Sequence, residues 1–168
     1  CRCTVSIASA IFSGVGKSTI AKELSKILKA RHIRFDKVMS KHKLDIIEGD
    51  GISAENFIKA NNLVLNKALN SLKKNHIVIF DGCFYRKEQI EHLLENLPYK
   101  SHIFSLKAPV DICVSRNRTR SKDMTDTAIQ DVHNLVSKHD CGIVIETKNK
   151  TKEQIVQEIL SYLAIKKC

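Results

Sequence analysis

Apolar residues alternate along the chain between short continuous runs and stripes of helical spacing. The runs have the composition of buried strands and cover residues 4–10, 32–35, 76–81, 102–106 and 143–146. The helical stripes cover residues 20–30, the segment from 53 to 72, the segment from 90 to Pro98, and residues 110–118, 126–138 and 151 onwards. This alternation predicts an α/β fold, with a five-stranded parallel sheet flanked by helices. No repeat or linker interrupts the pattern, so residues 1–168 are predicted to form a single domain.

One long segment does not follow the alternation. Residues 37–51 are polar, carry Gly49 and Gly51, and show no clear apolar period. Such a composition predicts a mobile or substrate-facing region.

A glycine loop lies between the first strand and the first helix. Its residues are Ser13, Gly14, Val15, Gly16, Lys17, Ser18 and Thr19. Backbone N–H groups and the positive end of the helix dipole converge at such a place, where they bind phosphate. Lys17, which we expect in a surface loop, would bridge the β- and γ-phosphates, and the Ser18 hydroxyl would complete the Mg²⁺ shell. The loop therefore predicts a site for ATP and Mg²⁺.

The loop departs from the pattern G-x-x-x-x-G-K-[ST] at one position. That pattern has glycine five residues before Gly16, where this chain has Ile11. A β-branched residue in the left-handed region costs about 1 to 2 kcal/mol, and its side chain would crowd the phosphates. Ile11 therefore keeps open the alternative of a degenerate nucleotide-binding module without turnover.

Composition narrows the class of partner. The formal net charge of +10 attracts anions such as ATP, phosphorylated substrates or nucleic acid. The nine Phe and Tyr residues do not alternate with the basic ones, which argues against a dedicated nucleic-acid-binding module.

The six cysteines lack zinc-ligand spacing and are expected to be reduced thiols. No apolar stretch is long enough to cross a membrane and the N-terminus does not look like a secretory signal, so we expect a cytoplasmic protein.

With its glycine loop between strand and helix, the chain resembles the small P-loop kinases over residues 5 to about 163. That group includes nucleotide, gluconate and shikimate kinases, and the chain is most similar to the branch that resembles polynucleotide kinases. The resemblance implies a P-loop nucleoside triphosphate hydrolase fold of the kinase type, with the P-loop strand central in the sheet. It also implies a short lid that closes over ATP, at about residues 117–127.

Three residues outside the loop are candidates for the rest of the site. Asp36, at the end of the second predicted strand, matches the position where the polynucleotide-kinase-like branch has a general base that binds the acceptor hydroxyl. That branch usually has Arg three residues later, where this chain has Met39. Asp81, at the end of the most apolar strand, is a candidate for holding Mg²⁺ through a water. Arg86 follows it in a segment similar to the acceptor-phosphate segment of nucleoside monophosphate kinases, and is predicted to bind substrate.

Arginines precede the predicted lid. Arg116 and Arg120 are four residues apart and share a helix face, with Arg118 between them. They are predicted to stack on adenine and to stabilise the phosphates as charge moves during transfer, which makes them both cofactor-binding and catalytic candidates. The histidines form no nucleophile pattern, and His32, His76 and His102, at strand entrances, are assigned to edge packing.

The predicted function is transfer of the ATP γ-phosphoryl group to a hydroxyl of a small metabolite, a nucleoside or a polynucleotide end. A nucleoside monophosphate kinase is the alternative enzyme, although no Arg occurs between Phe35 and Tyr85 to bind an acceptor phosphate. A GTPase-like switch lacks support because the guanine motif Asn-Lys-x-Asp is absent.

Overall fold

The computed structural model describes residues 3–9, 15–49, 51–120 and 142–163, with the backbone alone for 3–9 and 116–120. Strands and helices alternate through most of this range. The strands are β1 (Cys3–Ser9), β2 (Arg31–Arg34), β3 (Val78–Cys83), β4 (Lys100–Lys107) and β5 (Ile143–Glu146). The helices are α1 (Lys17–Ile27), α2 (Phe35–Lys41), α3 (Ala54–Lys73), α4 (Lys87–Asn96), α5 (Val110–Arg120) and α6 (Lys152–Tyr162). The α/β class predicted from the sequence is confirmed.

All the strand pairings in the described part of the chain are parallel, in the order β2-β3-β1-β4-β5. The P-loop strand β1 lies between β3 and β4. Because the carboxyl ends of neighbouring parallel strands meet at one edge, the residues that follow β1, β2 and β3 come together there.

Two apolar layers cover the sheet. On one face α1, α5 and α6 pack through residues such as Leu24, Cys113 and Ile159, none of which is exposed to solvent. On the other face α2, α3 and α4 pack around residues such as Phe35 and Phe80. Strand β3 is buried on both faces, as strands in the interior of a parallel sheet are.

Two helices, α3 and α6, begin at the capping residues that the sequence predicts. Ser53 accepts a hydrogen bond from the Asn56 N–H at the start of α3. Thr151 and Gln154 form the predicted capping box at the start of α6.

The segment between β2 and α3 differs from the prediction. Residues Phe35–Lys41 form the helix α2, whereas the sequence predicts a mobile or substrate-facing region from residue 37 onwards. Its buried residues Phe35 and Met39 are four positions apart, which is too short a stripe to stand out in the sequence. The predicted helix at 126–138 and the lid beyond residue 120 lie outside the described residues. No helix in the described ranges has the length and hydropathy needed to span a membrane.

Candidate functional site

The turn into α1 is built around Gly16. Its φ of +97° lies in the left-handed region, where glycine carries no steric penalty. Its carbonyl accepts the N–H of Ile20 at 3.0 Å, which starts the helix. Val15, which precedes Gly16 and is only 2% exposed, packs in the apolar core and so anchors the turn. Ser13, Gly14 and Ile11 lie outside the described residues, so their predicted roles stay predictions.

Lys17 is the first residue of α1 and is only 9% exposed. The expectation that it lies in a surface loop is therefore wrong. Desolvation raises the pKa of Asp36 and of Cys83, and the positive charge of Lys17 opposes both rises. Lys17 therefore lies at the carboxyl ends of the strands, beside acidic groups. Ser18 and Thr19 follow it in the first turn, where Ser18 is partly exposed and Thr19 is exposed.

Asp81 is a buried carboxylate on the strand next to β1. It lies within β3, opposite Ile7 of β1 and Arg34 of β2, and is 1% exposed. Its Oδ2 accepts a hydrogen bond from His32 Nε2 at 3.1 Å. Its Oδ1 is buried and has no hydrogen-bond partner among the described residues. Because a buried carboxylate oxygen without a partner is costly, this atom marks a place for a ligand.

These residues fit the Mg²⁺ that the P-loop implies. A hard divalent cation binds oxygen, and the Ser18 hydroxyl and Asp81 Oδ1 supply it from α1 and β3. Among the described residues no cluster of His, Cys, Asp and Glu forms a metal site of its own. The predicted pair of Ser18 and Asp81 is thus retained as the Mg²⁺ candidate.

Asp36 lies in the first turn of α2, and not at the end of β2 as predicted. Its side chain reaches the surface, yet the surrounding protein desolvates the carboxylate enough to raise its pKa. The charge of Lys17 opposes this rise, that of Asp81 adds to it, and that of Arg34 opposes it. A carboxylate whose pKa is raised toward neutrality is a better general base than an ordinary one.

Aromatic packing holds the first turn of α2 against the sheet. The ring of Phe35, next to Asp36 in the chain, lies 4.9 Å from that of Phe84 and 5.8 Å from that of Phe80. These anchors fix where the backbone of Asp36 stands relative to β3.

Arg86 is engaged in a structural contact. It is the N-cap of α4, its Nε donates to the carbonyl of Ile52 at 3.2 Å, and its guanidinium lies 5.5 Å from the centre of the Tyr85 ring. The Tyr85 hydroxyl accepts the N–H of Ile52 at 2.6 Å. The two side chains therefore bind both backbone groups of Ile52 and connect the start of α3 to the segment after β3. The predicted substrate role of Arg86 stays a prediction.

A groove of about 520 Å³ runs from the first turn of α1 along the edge strand β2. Its lining is mostly basic and polar: Ser18, Thr19, Lys22, Glu23, Lys26, His32 and Arg34. It is open to solvent and lies beside the first turn of α1, on the β2 side.

Arg116, Arg118 and Arg120 lie in the last two turns of α5. Helical spacing places Arg116 and Arg120 on one face of α5, as predicted. Their side chains lie outside what is described, so their nucleotide-binding role stays a prediction.

The sequence interpretation missed three groups near the site. His32 contacts Asp81, so its assignment to edge packing is corrected. Arg34 acts on Asp36 through its charge. Cys83 is a free thiol at the end of β3, and the charges of Lys17 and Asp36 act on its pKa. The register of β2 against β3 brings His32 to Asp81, and that register was not visible in the sequence.

Strand, glycine turn and helix, with a buried aspartate on the adjacent strand, define the P-loop class of nucleotide-binding folds. A family model described as an AAA domain matches residues 12–138, more than half of the chain. The chain belongs to this family. No curated protein matches it in sequence.

Solved structures of small kinases share the fold. A sugar kinase from Janibacter sp. HTCC2649, solved without ligand, superposes with a TM-score of 0.78 at 18% identity, with 96% of this chain and 94% of that chain covered. A gluconokinase from Sinorhizobium meliloti 1021 superposes with a TM-score of 0.71 at 15% identity, with 96% of this chain and 90% of that chain covered. The Mycobacterium tuberculosis APS kinase, in complex with AMPPNP and APS, superposes with a TM-score of 0.68 at 13% identity, and 96% of each chain is covered. The fold is therefore that of the small P-loop kinases.

Proposed function

We propose that the protein is an ATP- and Mg²⁺-dependent kinase that transfers the γ-phosphoryl group to a hydroxyl of a small metabolite. One observation carries the proposal. Asp36 at the start of α2 is close enough to Lys17 at the start of α1 and to Asp81 in β3 for both charges to act on it. A cation, a desolvated carboxylate and a buried carboxylate at the carboxyl edge of a parallel sheet are the groups that phosphoryl transfer needs.

Each group has a distinct role in the proposal. Lys17 and the N–H groups at the start of α1 bind the β- and γ-phosphates and stabilise the charge that moves between them. Asp36 accepts the proton of the attacking hydroxyl, which its raised pKa favours. Ser18 and Asp81 hold Mg²⁺, which when bound neutralises the phosphate oxygens. Arg116 and Arg120, on the last turns of α5, complete the charge stabilisation from the lid side.

The solved structures that share the fold favour one class of phosphoryl acceptor. The solved structures named above are described as sugar, gluconate and APS kinases, which supports a small metabolite. They do not support the polynucleotide end that the sequence resemblance had included. Localisation in the cytoplasm, and a lid that begins near residue 117, remain parts of the proposal.

An ATP turnover assay over a panel of acceptors tests this function. ADP release is measured with sugars, gluconate and APS as hydroxyl acceptors, with nucleoside monophosphates as phosphate acceptors, and without acceptor. Stimulation by a hydroxyl acceptor, dependent on Mg²⁺, is the expected result. Stimulation by monophosphates alone would instead identify a nucleoside monophosphate kinase. Tight binding of AMPPNP without any stimulated turnover would identify a degenerate nucleotide-binding module, as Ile11 allows.

A further inference from the structure

The contact between His32 and Asp81 links an edge strand to the candidate Mg²⁺ residue. Nε2 of His32 lies 3.1 Å from Oδ2 of Asp81, and the two side chains are 17% and 1% exposed. An ionised carboxylate only accepts hydrogen bonds, so His32 is the donor, with its proton on Nε2.

The strand register explains how the two residues meet. Arg34 of β2 is opposite Asp81 of β3, and His32 is two residues before Arg34. Residues two apart on a strand share a face, so His32 and Asp81 lie on the same face of the sheet as diagonal neighbours. His32 also lines the groove that begins at Ser18. The imidazole thus lies between the open groove and the buried carboxylate.

The two carboxylate oxygens of Asp81 differ in their hydrogen bonding. Oδ2 is held by His32, whereas Oδ1 is buried without a partner among the described residues. A carboxylate held at one oxygen cannot rotate freely, so its other oxygen keeps one direction. The hydrogen bond therefore presents Oδ1 as the oxygen left for a ligand.

We propose that His32 is a positioning residue that fixes Asp81 for binding the Mg²⁺ of the nucleotide complex. This rests on the proposed function, and it assigns His32 a role toward the metal without direct contact to it. Partners that orient a metal-binding group typically contribute about 10- to 100-fold to metal affinity or activity. His32 should therefore affect nucleotide binding only when Mg²⁺ is present.

Two substitutions of similar polarity separate this role from a packing role. The amide nitrogen of the longer variant, His32→Gln, reaches about where Nε2 stands and keeps the donor. The amide of His32→Asn ends near the position of Nδ1 and falls short of Asp81. His102→Asn is the matched control, since His102 lies on β4, with its ring stacked 6.4 Å from that of Phe104.

The experiment is calorimetric titration with AMPPNP, with Mg²⁺ and with EDTA, so that no turnover is needed. The ratio of the two Kd values gives the enhancement by Mg²⁺. We expect His32→Asn to reduce this enhancement by about 10- to 100-fold with unchanged affinity in EDTA. The parent, His32→Gln and His102→Asn should keep it.

The contrary results are distinct from one another. An enhancement kept by His32→Asn, or lost equally in His32→Asn and His32→Gln, would overturn the positioning role and leave the kinase proposal standing. A parent protein without any enhancement by Mg²⁺ would overturn both.

Discussion

Gly82 and Phe35 lie so close that a Cβ atom on Gly82 would stand 2.7 Å from the Cβ of Phe35. Gly82 follows Asp81 in β3, and Phe35 precedes Asp36 in α2. The absence of a side chain at Gly82 therefore lets α2 pack directly on β3. This close approach brings the two candidate carboxylates to the same edge of the sheet.

Gly82→Ala should destabilise the protein and reduce turnover. The added methyl group meets the Cβ of Phe35, which cannot move without its helix, and such overpacking costs about 1 to 3 kcal/mol. Displacement of α2 moves Asp36, so kcat should fall while AMPPNP affinity is kept. Urea unfolding and steady-state kinetics measure the two effects.

Val64→Ala is the control for this substitution. Val64, on α3, is 5% exposed and belongs to the same apolar layer as Phe35, so its truncation also costs stability. It should leave kcat near that of the parent, since α2 stays in place. An equal loss of kcat in both variants would mean that stability, and not the position of α2, governs turnover.

The sequence was sufficient for the parts of this site that local pattern determines. The strand, glycine turn and helix around Gly16 follow from periodicity and from one residue that tolerates positive φ. The burial of Asp81 follows from its apolar strand. Neither inference needs knowledge of distant residues.

The sequence was insufficient for the contacts that depend on the pairing of distant segments. His32 and Asp81 are 49 residues apart, and only the register of β2 on β3 makes them neighbours. The helix α2 was missed because its apolar residue Phe35 continues the strand pattern of β2, and its burial depends on Gly82. Tertiary packing determines both features.

Lys17→Ala should strongly reduce phosphoryl transfer. The substitution removes the cation beside the phosphates, and loss of one such group costs about 10² to 10³ in kcat. The fold should persist, because Lys17 is the first residue of α1 and the helix is held by buried residues such as Leu24. Acceptor-stimulated ADP release and thermal unfolding measure the two outcomes. Lys73→Ala, an exposed change in the last turn of α3, is the control, and equal turnover in both variants would refute the P-loop assignment.

Asp36→Asn should reduce kcat for a hydroxyl acceptor by about 10² to 10⁴, because the amide cannot accept the proton. Affinity for AMPPNP should change little, since Asp36 is assigned to the acceptor. A monophosphate acceptor, whose oxygen is already ionised, should show a much smaller loss. Single-turnover rates with both acceptor types provide the measurement. A kcat near that of the parent with the hydroxyl acceptor would remove the general base from the mechanism.

The same substitution should stabilise the folded protein at neutral pH. The pKa of Asp36 is raised above its ordinary value of 3.8, so the folded state binds this proton more tightly than the unfolded state. The resulting stability is present below the ordinary pKa and is lost as the pH rises through the raised pKa. Asp36→Asn removes that loss, so its Tm should exceed the parent's at pH 7 and the two should converge at low pH. Scanning calorimetry across pH measures this, and a lower Tm at pH 7 would contradict it.

Arg34→Gln should move the acid limb of the kcat/KM profile to higher pH. Desolvation raises the pKa of Asp36, and the negative charge of Asp81 adds to this rise, whereas the positive charges of Lys17 and Arg34 oppose it. Without Arg34 the carboxylate takes up its proton at a higher pH, and the base is lost earlier as the pH falls. Arg31→Gln is the control, because Arg31 is an exposed residue three positions earlier on β2, where side chains alternate between faces. The pH dependence of kcat/KM is measured for the parent and both variants at one ionic strength. An acid limb that moves equally in both variants reports net charge, whereas a shift confined to Arg34→Gln identifies Asp36 as the titrating base.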